Sequence, residues 1–493
     1  MARRTPILYS ALMLTAVNLL LRFAGTGFQV YLSGRIGSSG IGLLQLVLSV
    51  GSLSLTAGIA GIRTATMYLT AGELGRKRPH TVTWVLSACM GYSILCSGFI
   101  SVLLFAFAPQ VSFYWIGDIR VVGAVRLFAA FLPVNCLSAV MCGYFTAANR
   151  IGTLAAVEIG EQLCAMGSTV FLLWHAQGEL AASCMAVVAG SGMGSCFTLL
   201  SLVFLRLREK VPDSPRIPIW KRLLQTALPL AVADDVKAGI STTENLMVPK
   251  RLSLHPGTNS ALSAFGMVCG MVFPVMMFPA AIVFSLAELL IPELARCDAA
   301  GSCTRIRYLA KRSLKTVLLY GSLCSGVLFL TAPELCETLY GSTQAGLYLK
   351  TYALLVPMLY CDIITDAMTK GLGQQTACVR YNIFTSLLDV VFLFFLLPKW
   401  GLSGYFFSFL VTHLINFLLS LRRLIRTSGC RIRWKEPLLI LGSLMGSIML
   451  SSCLHTVFFR CLAFFSSFTA LLILCGVLSR ADALWVRSLA KRK

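Results

Sequence analysis

Apolar runs of about twenty residues recur along almost the whole chain, separated by short polar stretches. A run of that length crosses about 30 Å of hydrocarbon as an α-helix. The runs lack the alternation of strands, and lipid admits only helices or closed barrels, because their backbone polar groups are satisfied internally. The pattern predicts an all-α integral membrane protein with about fourteen spans. These fall near residues 6–33, 40–70, 81–107, 121–146, 153–175, 181–205, 223–248, 260–288, 312–332, 346–369, 377–397, 403–420, 437–457 and 461–479.

The first run follows a basic start, Met1-Ala2-Arg3-Arg4, as a signal peptide would. It is too long for one, carries Arg22 and Gln29, and lacks a small-residue cleavage site, so an uncleaved first span is expected. The longest polar connection in the middle, rich in Pro and charge, runs from Leu205 to Arg222. Six spans precede it. Residues around Pro133 and Asn149 can be laid over those around Pro357 and Gly373, and Ser10 to Asn18 over Thr226 to Asp234, in the same order. The expected organisation is a six-helix lobe over 1–205, a cytoplasmic linker over 206–222 and a second six-helix lobe over 223–420. A basic loop over 421–436, two additional helices over 437–479 and a basic tail over 480–493 complete it. An even number of spans per lobe makes the repeat parallel, so the pseudo-symmetric lobes would be related by an axis along the membrane normal.

Composition strengthens the membrane reading. Hydrophobic residues make up 57% of the chain and charged residues 13%, against about 25% charged in soluble domains. The net charge of +22 would suggest a nucleic-acid partner in a soluble protein. Here the basic residues cluster in alternate loops, at Arg76-Lys77-Arg78, Arg206 to Arg222, Arg296 to Arg312, Arg422 to Lys435 and Arg480 to Lys493. The other loops hold mostly single charges such as Arg35, Arg120, Lys399 and Arg460. That asymmetry is the positive-inside pattern: it places both termini in the cytoplasm, accounts for the charge through topology and anionic headgroups, and argues against nucleic acid. The eighteen cysteines lie mostly inside apolar runs without a Cys-x-x-Cys pair, as small buried hydrophobes do.

No P-loop, nucleotide-sized soluble domain or H-E-x-x-H helix occurs, so neither an enzyme nor a bound metal or cofactor is expected. Transport would draw on an Na⁺ or H⁺ gradient or on the substrate itself. Ionisable residues inside spans are expensive in hydrocarbon and mark candidate sites. In the first half these are Arg22, Arg63, Arg126, Glu158 and Glu161; in the second they are Asp234, Asp235, Lys237, Glu244, Asp362, Asp366 and Asp389. Arg22, Arg63 and Arg126 are the candidate diphosphate-binding set, because guanidinium keeps its proton and grips phosphate oxygens bidentately. Snorkelling or structural pairing is the competing reading for each. Gln29, Asp234, Asp235, Lys237, Glu244, Asp362 and Asp366 are candidate cavity-polar or ion-coupling residues. For Asp362 and Asp366 a helix-end role beside Lys370 competes.

The stretch Arg35 to Arg76, with its Ile-Gly-x-x-Gly-Ile-Gly-Leu segment, resembles the stage V sporulation protein B family. So does Ile240 to Leu252, with Glu-Asn-Leu-Met-Val-Pro, and its continuation from Gly266 to Ala295. That family belongs to the MOP exporter superfamily, with MurJ-type lipid II flippases, polysaccharide flippases and MATE antiporters. The resemblance implies two six-span lobes around a central cavity that alternate between inward-open and outward-open, two additional spans at the end, and first-lobe arginines receiving a lipid-linked diphosphate.

The reading reached is a monomeric flippase for a polyprenyl-diphosphate-linked saccharide, in cell-wall or spore-envelope biogenesis. Its partners would be that lipid-linked oligosaccharide, membrane lipids and envelope-synthesis proteins. A MATE-like cation-coupled multidrug antiporter is the alternative. A membrane-embedded glycosyltransferase or polymerase would usually show a large polar outer loop, and a non-transporting scaffold would use its intramembrane charges only to pair helices.

Overall fold

The computed structural model describes residues 5–59, 61–75, 81–148, 150–175, 179–208, 219–256, 260–430, 435–454 and 456–478. The Arg76-Lys77-Arg78 cluster, most of the linker and the tail from 479 lie outside the described residues. The described residues are helical and contain no strand. Among the described residues eight helices are long and apolar enough to cross a membrane, or ten if two bent pairs each count as one span. The fourteen spans expected from the sequence are therefore not all reproduced as separate helices. Helices kinked at Gly37 and Gly401 run through what hydropathy divides, and the expected seventh span carries Asp234, Asp235, Lys237 and Glu244, which lower its hydropathy.

The chain forms two compact units, residues 1–266 with 393–401, and residues 267–392 with 402–493. The first contains α1 (Thr5–Ile59), α2 (Ile62–Gly75), α3 (Val82–Ala106), a short α4 (Ala108–Gln110) that continues as a π-helix to Ile116, α5 (Val122–Ala147), α6 (Ile151–His175), α7 (Leu180–Leu207) and α8 (Trp220–Leu252). It also holds nearly all of α9 (Ala261–Met267). Its core gathers Ile62 and Leu69 of α2, Val85 and Leu86 of α3, Met141 and Phe145 of α5, Leu202 of α7 and Leu223 of α8.

Small residues set how closely these helices approach. A Cβ on Gly266 would lie 2.0 Å from the Ser38 carbonyl oxygen, and one on Gly42 would lie 2.3 Å from that of Leu262, so α1 and α9 meet backbone to backbone. The Ser38 and Ser263 hydroxyls share a 2.6 Å hydrogen bond across the contact. Such approaches are how helices associate in lipid, where apolar burial supplies little drive.

The second unit contains α10 (Phe273–Met277), α11 (Ala280–Ala299), α12 (Cys303–Tyr340), α13 (Thr343–Ala353), α14 (Val356–Gly371), most of α15 (Gln375–Ser428), α16 (Lys435–Ser452) and α17 (Val457–Leu474). The helices α13 and α14 meet at a 56° bend. Phe464 of α17 fills the space left by Gly326 of α12, and with Phe468, Leu444 and Ile448 it packs the two last helices onto α12.

Prolines and helix breaks leave backbone carbonyls without their usual donors, and side chains supply replacements. Pro133 removes the N–H that would serve Ala129, and Ser101 of α3 donates to that carbonyl at 2.6 Å. Around the π-helical turn Val268–Val272 and the break at Pro279, Tyr340 donates to Met271 (3.2 Å), Tyr360 to Met276 (2.9 Å) and Tyr320 to Pro279 (2.9 Å).

Two expectations follow. Gly266→Ala should lower the melting temperature of the purified protein markedly, because overpacking costs about 1–3 kcal/mol, while Gly98→Ala, with nothing within 4 Å of its Cβ, should not. Ser101→Ala should destabilise by about 0.6–2 kcal/mol, and most of that loss should vanish in a Pro133→Ala background. Additive effects in that double-mutant cycle would remove the proposed link between the hydroxyl and the freed carbonyl.

Candidate functional site

In the first unit the expected second span is discontinuous. The chain breaks after Ile59, Gly61 adopts φ +70°, and a new helix, α2, begins at Ile62. Arg63 is the second residue of that helix, so its guanidinium stands at an N-terminus. The position is set by packing: a Cβ on Gly143 of α5 would lie 2.5 Å from the Arg63 carbonyl oxygen. A cation is unfavourable at the positive end of a helix dipole, by about 0.3–1 kcal/mol, whereas an anion there is favourable. Glu158 of α6 lies close enough for its charge to interact with that of Arg63. Among the described residues, no carboxylate reaches ion-pair distance of Arg63.

The other two arginines of the expected set lie on α1 and α5. Arg22 is exposed on α1. Arg126 lies one turn into α5 and stacks over the Phe105 ring, 5.4 Å from its centroid, which fits the interfacial alternative raised for it. Arg63 and Arg126 share no described partner. Gln29 is half-buried on α1.

Polar groups of this unit also meet where glycines bring helices together. A Cβ on Gly190 or Gly194 of α7 would press on the Ala165 or Glu161 backbone of α6, at 2.8 and 3.0 Å. One turn on, Thr198 donates to the Glu161 carboxylate at 2.7 Å, and Ser195 donates to the Asn135 side-chain carbonyl, also at 2.7 Å. Asn245 and Thr242 of α8 donate to the hydroxyl and the carbonyl of Ser49 on α1. Also on α8, Asp234 and Lys237 are exposed, while Asp235 and Glu244 are half-buried. The charge of Asp234 acts on Asp235, one oxygen of which is buried without a hydrogen bond.

Glu73, which sequence reasoning passed over, is nearly fully buried at the end of α2. It accepts from Thr81 at 3.1 Å and from Arg222 at 3.0 Å, tying together α2, the start of α3 and the start of α8. Its signal was a lone carboxylate just before the Arg76-Lys77-Arg78 cluster.

In the second unit, Asp362 accepts two bonds from the Asn416 amide, at 3.0 and 3.2 Å. Asp366 pairs with Lys370 at 2.6 Å, the helix-end arrangement raised as its alternative role. One oxygen each of Asp366 and Asn416 is buried without a hydrogen-bond partner among the described residues. Asp389 accepts from Ser408 and, at 3.3 Å, from Thr412, across the two limbs of α15. Asn416, Ser408 and Thr412 were not anticipated, because a neutral polar residue in an apolar run carries no charge signal.

No family model matches the chain. It is 23% identical over 424 residues to stage V sporulation protein B of Bacillus subtilis (strain 168), covering 82% of this chain and 80% of that protein. It is 22% identical over 278 residues to sporulation protein YkvU of the same organism, covering 54% and 61% respectively. Among solved structures, lipid II flippase MurJ in an inward closed conformation superposes over 97% of this chain and 100% of its own, with a TM-score of 0.70 and 12% identity. An inward-facing MATE multidrug resistance transporter of the MOP superfamily does so over 85% and 100%, with a TM-score of 0.66 and 13% identity. The chain is thus a multi-pass membrane protein homologous to stage V sporulation protein B, with the fold of the MOP superfamily.

Proposed function

We propose that the chain is a flippase. Its cargo is a polyprenyl-diphosphate-linked saccharide, a lipid II-like peptidoglycan precursor or another polysaccharide unit, carried between leaflets by alternating access. The observation that carries this reading is Arg63: a guanidinium without an ion-pair partner among the described residues, at the N-terminus of a helix that restarts inside a span. Half-helix N-termini within transporters are suited to anionic substrate groups, and a guanidinium beside one adds bidentate phosphate recognition. Arg22 is the second candidate for the diphosphate. Arg126 is the weakest of the three, since the Phe105 ring already engages it.

The homology to stage V sporulation protein B and the structural likeness to a lipid II flippase support a cargo for the cell wall or spore envelope. Cytoplasmic termini, a monomeric state and envelope-synthesis proteins as partners belong to the same proposal. Coupling to Na⁺ or H⁺ is assigned to the acidic residues of the second unit, with Asp362 and Asn416 as its first candidates. The likeness to MATE transporters favours multidrug antiport as a second reading, and an arginine in the site suits an organic cation poorly.

Reconstitution in vesicles with fluorescent lipid II, and separately with an unrelated polyprenyl-linked sugar, measures translocation of each. Arg63→Ala and Arg22→Ala should each abolish it while expression stays at the unmodified level, and Arg126→Ala should retain most of it. Full activity in Arg63→Ala would discard the site, and drug extrusion without lipid translocation would favour the antiporter. Asp362→Asn should make translocation insensitive to an imposed Na⁺ or H⁺ gradient; an unaltered gradient response in that variant would take coupling away from Asp362.

A further inference from the structure

Arg35 has no part in the proposed transport site, yet it stands at a formed cleft. It ends the first straight segment of α1, two residues before Gly37 turns the chain at φ +70°. The cleft, about 430 Å³, lies between this segment and the last turns of α6, and is walled by Tyr31, Arg35, Gly167, Val170, Phe171 and Trp174. That volume lies within the range of about 300–1,000 Å³ typical of small-molecule sites. The guanidinium rests over the Tyr31 ring, 5.8 Å from its centroid, and Tyr31 stacks on Phe28. Trp174 is 83% exposed. Among the described residues Arg35 has no carboxylate partner.

A cation beside a half-buried Tyr and an exposed Trp at the end of a span is the composition of a headgroup interface. Water would penalise such an open aromatic wall, whereas the glyceryl and first acyl carbons of a lipid would cover it. Both helices present carbonyl ends here, the α1 segment at its kink and α6 at His175. Helix C-termini disfavour anions. An anion at this point therefore depends on the single guanidinium, which balances the one negative charge of a phosphodiester and leaves the greater charge of a diphosphate uncompensated.

We propose that the cleft between α1 and α6 is a glycerophospholipid site, in which Arg35 holds the phosphodiester and Tyr31, Phe171 and Trp174 cover the glyceryl and upper acyl carbons. With both termini cytoplasmic, this is the outer leaflet. The site is independent of the transport substrate and of the residues proposed to bind it.

Gly167 provides the test, because it lines the cleft and nothing lies within 4 Å of a Cβ built on it. Gly167→Leu should fill the cleft without disturbing the helices, and an unchanged melting temperature would report that. The full chain, purified and offered equal amounts of phosphatidylglycerol and the phosphate-free lipid diglucosyl-diacylglycerol, would be assayed for bound lipid by native mass spectrometry. Phosphatidylglycerol should be retained about fivefold over the glycolipid, the scale of one basic residue at a membrane surface. Arg35→Ala and Gly167→Leu should each bring it down to the glycolipid level. Unchanged phosphatidylglycerol retention in either variant overturns the assignment, as does equal retention of the two lipids by the unmodified chain. Preferential retention of a polyprenyl diphosphate in equimolar competition would overturn the phosphodiester and give the cleft to the transported lipid.

Discussion

A carbonyl or N–H group in hydrocarbon must find its partner within the protein, and much of this chain's architecture follows from that requirement. Continuous helices meet it internally. Where the chain departs from a regular helix, at Pro133, at the π-helical turn Val268–Val272 and at Pro279, a hydroxyl from another helix completes the account: Ser101 in one unit, Tyr320, Tyr340 and Tyr360 in the other. Each irregularity is thereby joined to a specific partner. A bend that would otherwise be a weak point becomes a point of helix pairing, because the hydroxyl must stay within about 3 Å of the carbonyl it serves.

The same constraint links packing to chemistry. Helices in lipid associate where small residues let their backbones approach, and the polar groups of the first unit cluster at those places. Gly190 and Gly194 bring α6 and α7 together one turn from the Glu161–Thr198 bond, and Gly143 fixes the backbone of Arg63. A charged residue at such a contact can be held in a defined place without an ion pair to hold it.

Helical class and membrane character were legible in hydropathy and charge, because each span is a long apolar run and the basic residues punctuate alternate loops. Kinks were less legible. Gly37 and Gly401 turn the chain inside what reads as loop sequence, while the break at Gly61 falls in the middle of an apolar run whose one nearby charge, Arg63, does not by itself signal a break. Arg22, Arg63 and Arg126 were legible as intramembrane charges, but their surroundings were not. The sequence alone does not separate an arginine over Phe105 from one at the start of a new helix. Asn416, Ser408 and Thr412 were invisible because their importance depends on which carboxylate they meet, a property of packing and not of the local run.

Arg35 and Arg63 show why the local backbone decides what an arginine in such a protein does. Arg35 ends a helical segment, where a cation offsets the carbonyl end of the dipole and is stable without any ligand; its interest comes from the aromatic cleft around it. Arg63 begins a helix, where its own charge adds to that of the N-terminus, and the nearby Glu158 answers it without forming an ion pair. The first arrangement is complete in itself and tolerates a weakly charged neighbour. The second concentrates positive potential with less compensation than a structural ion pair would provide, and an anionic group bound there relieves it. The position of each guanidinium along its helix thus separates a cation that offsets its helix end from one that adds to it, although the two residue types are identical.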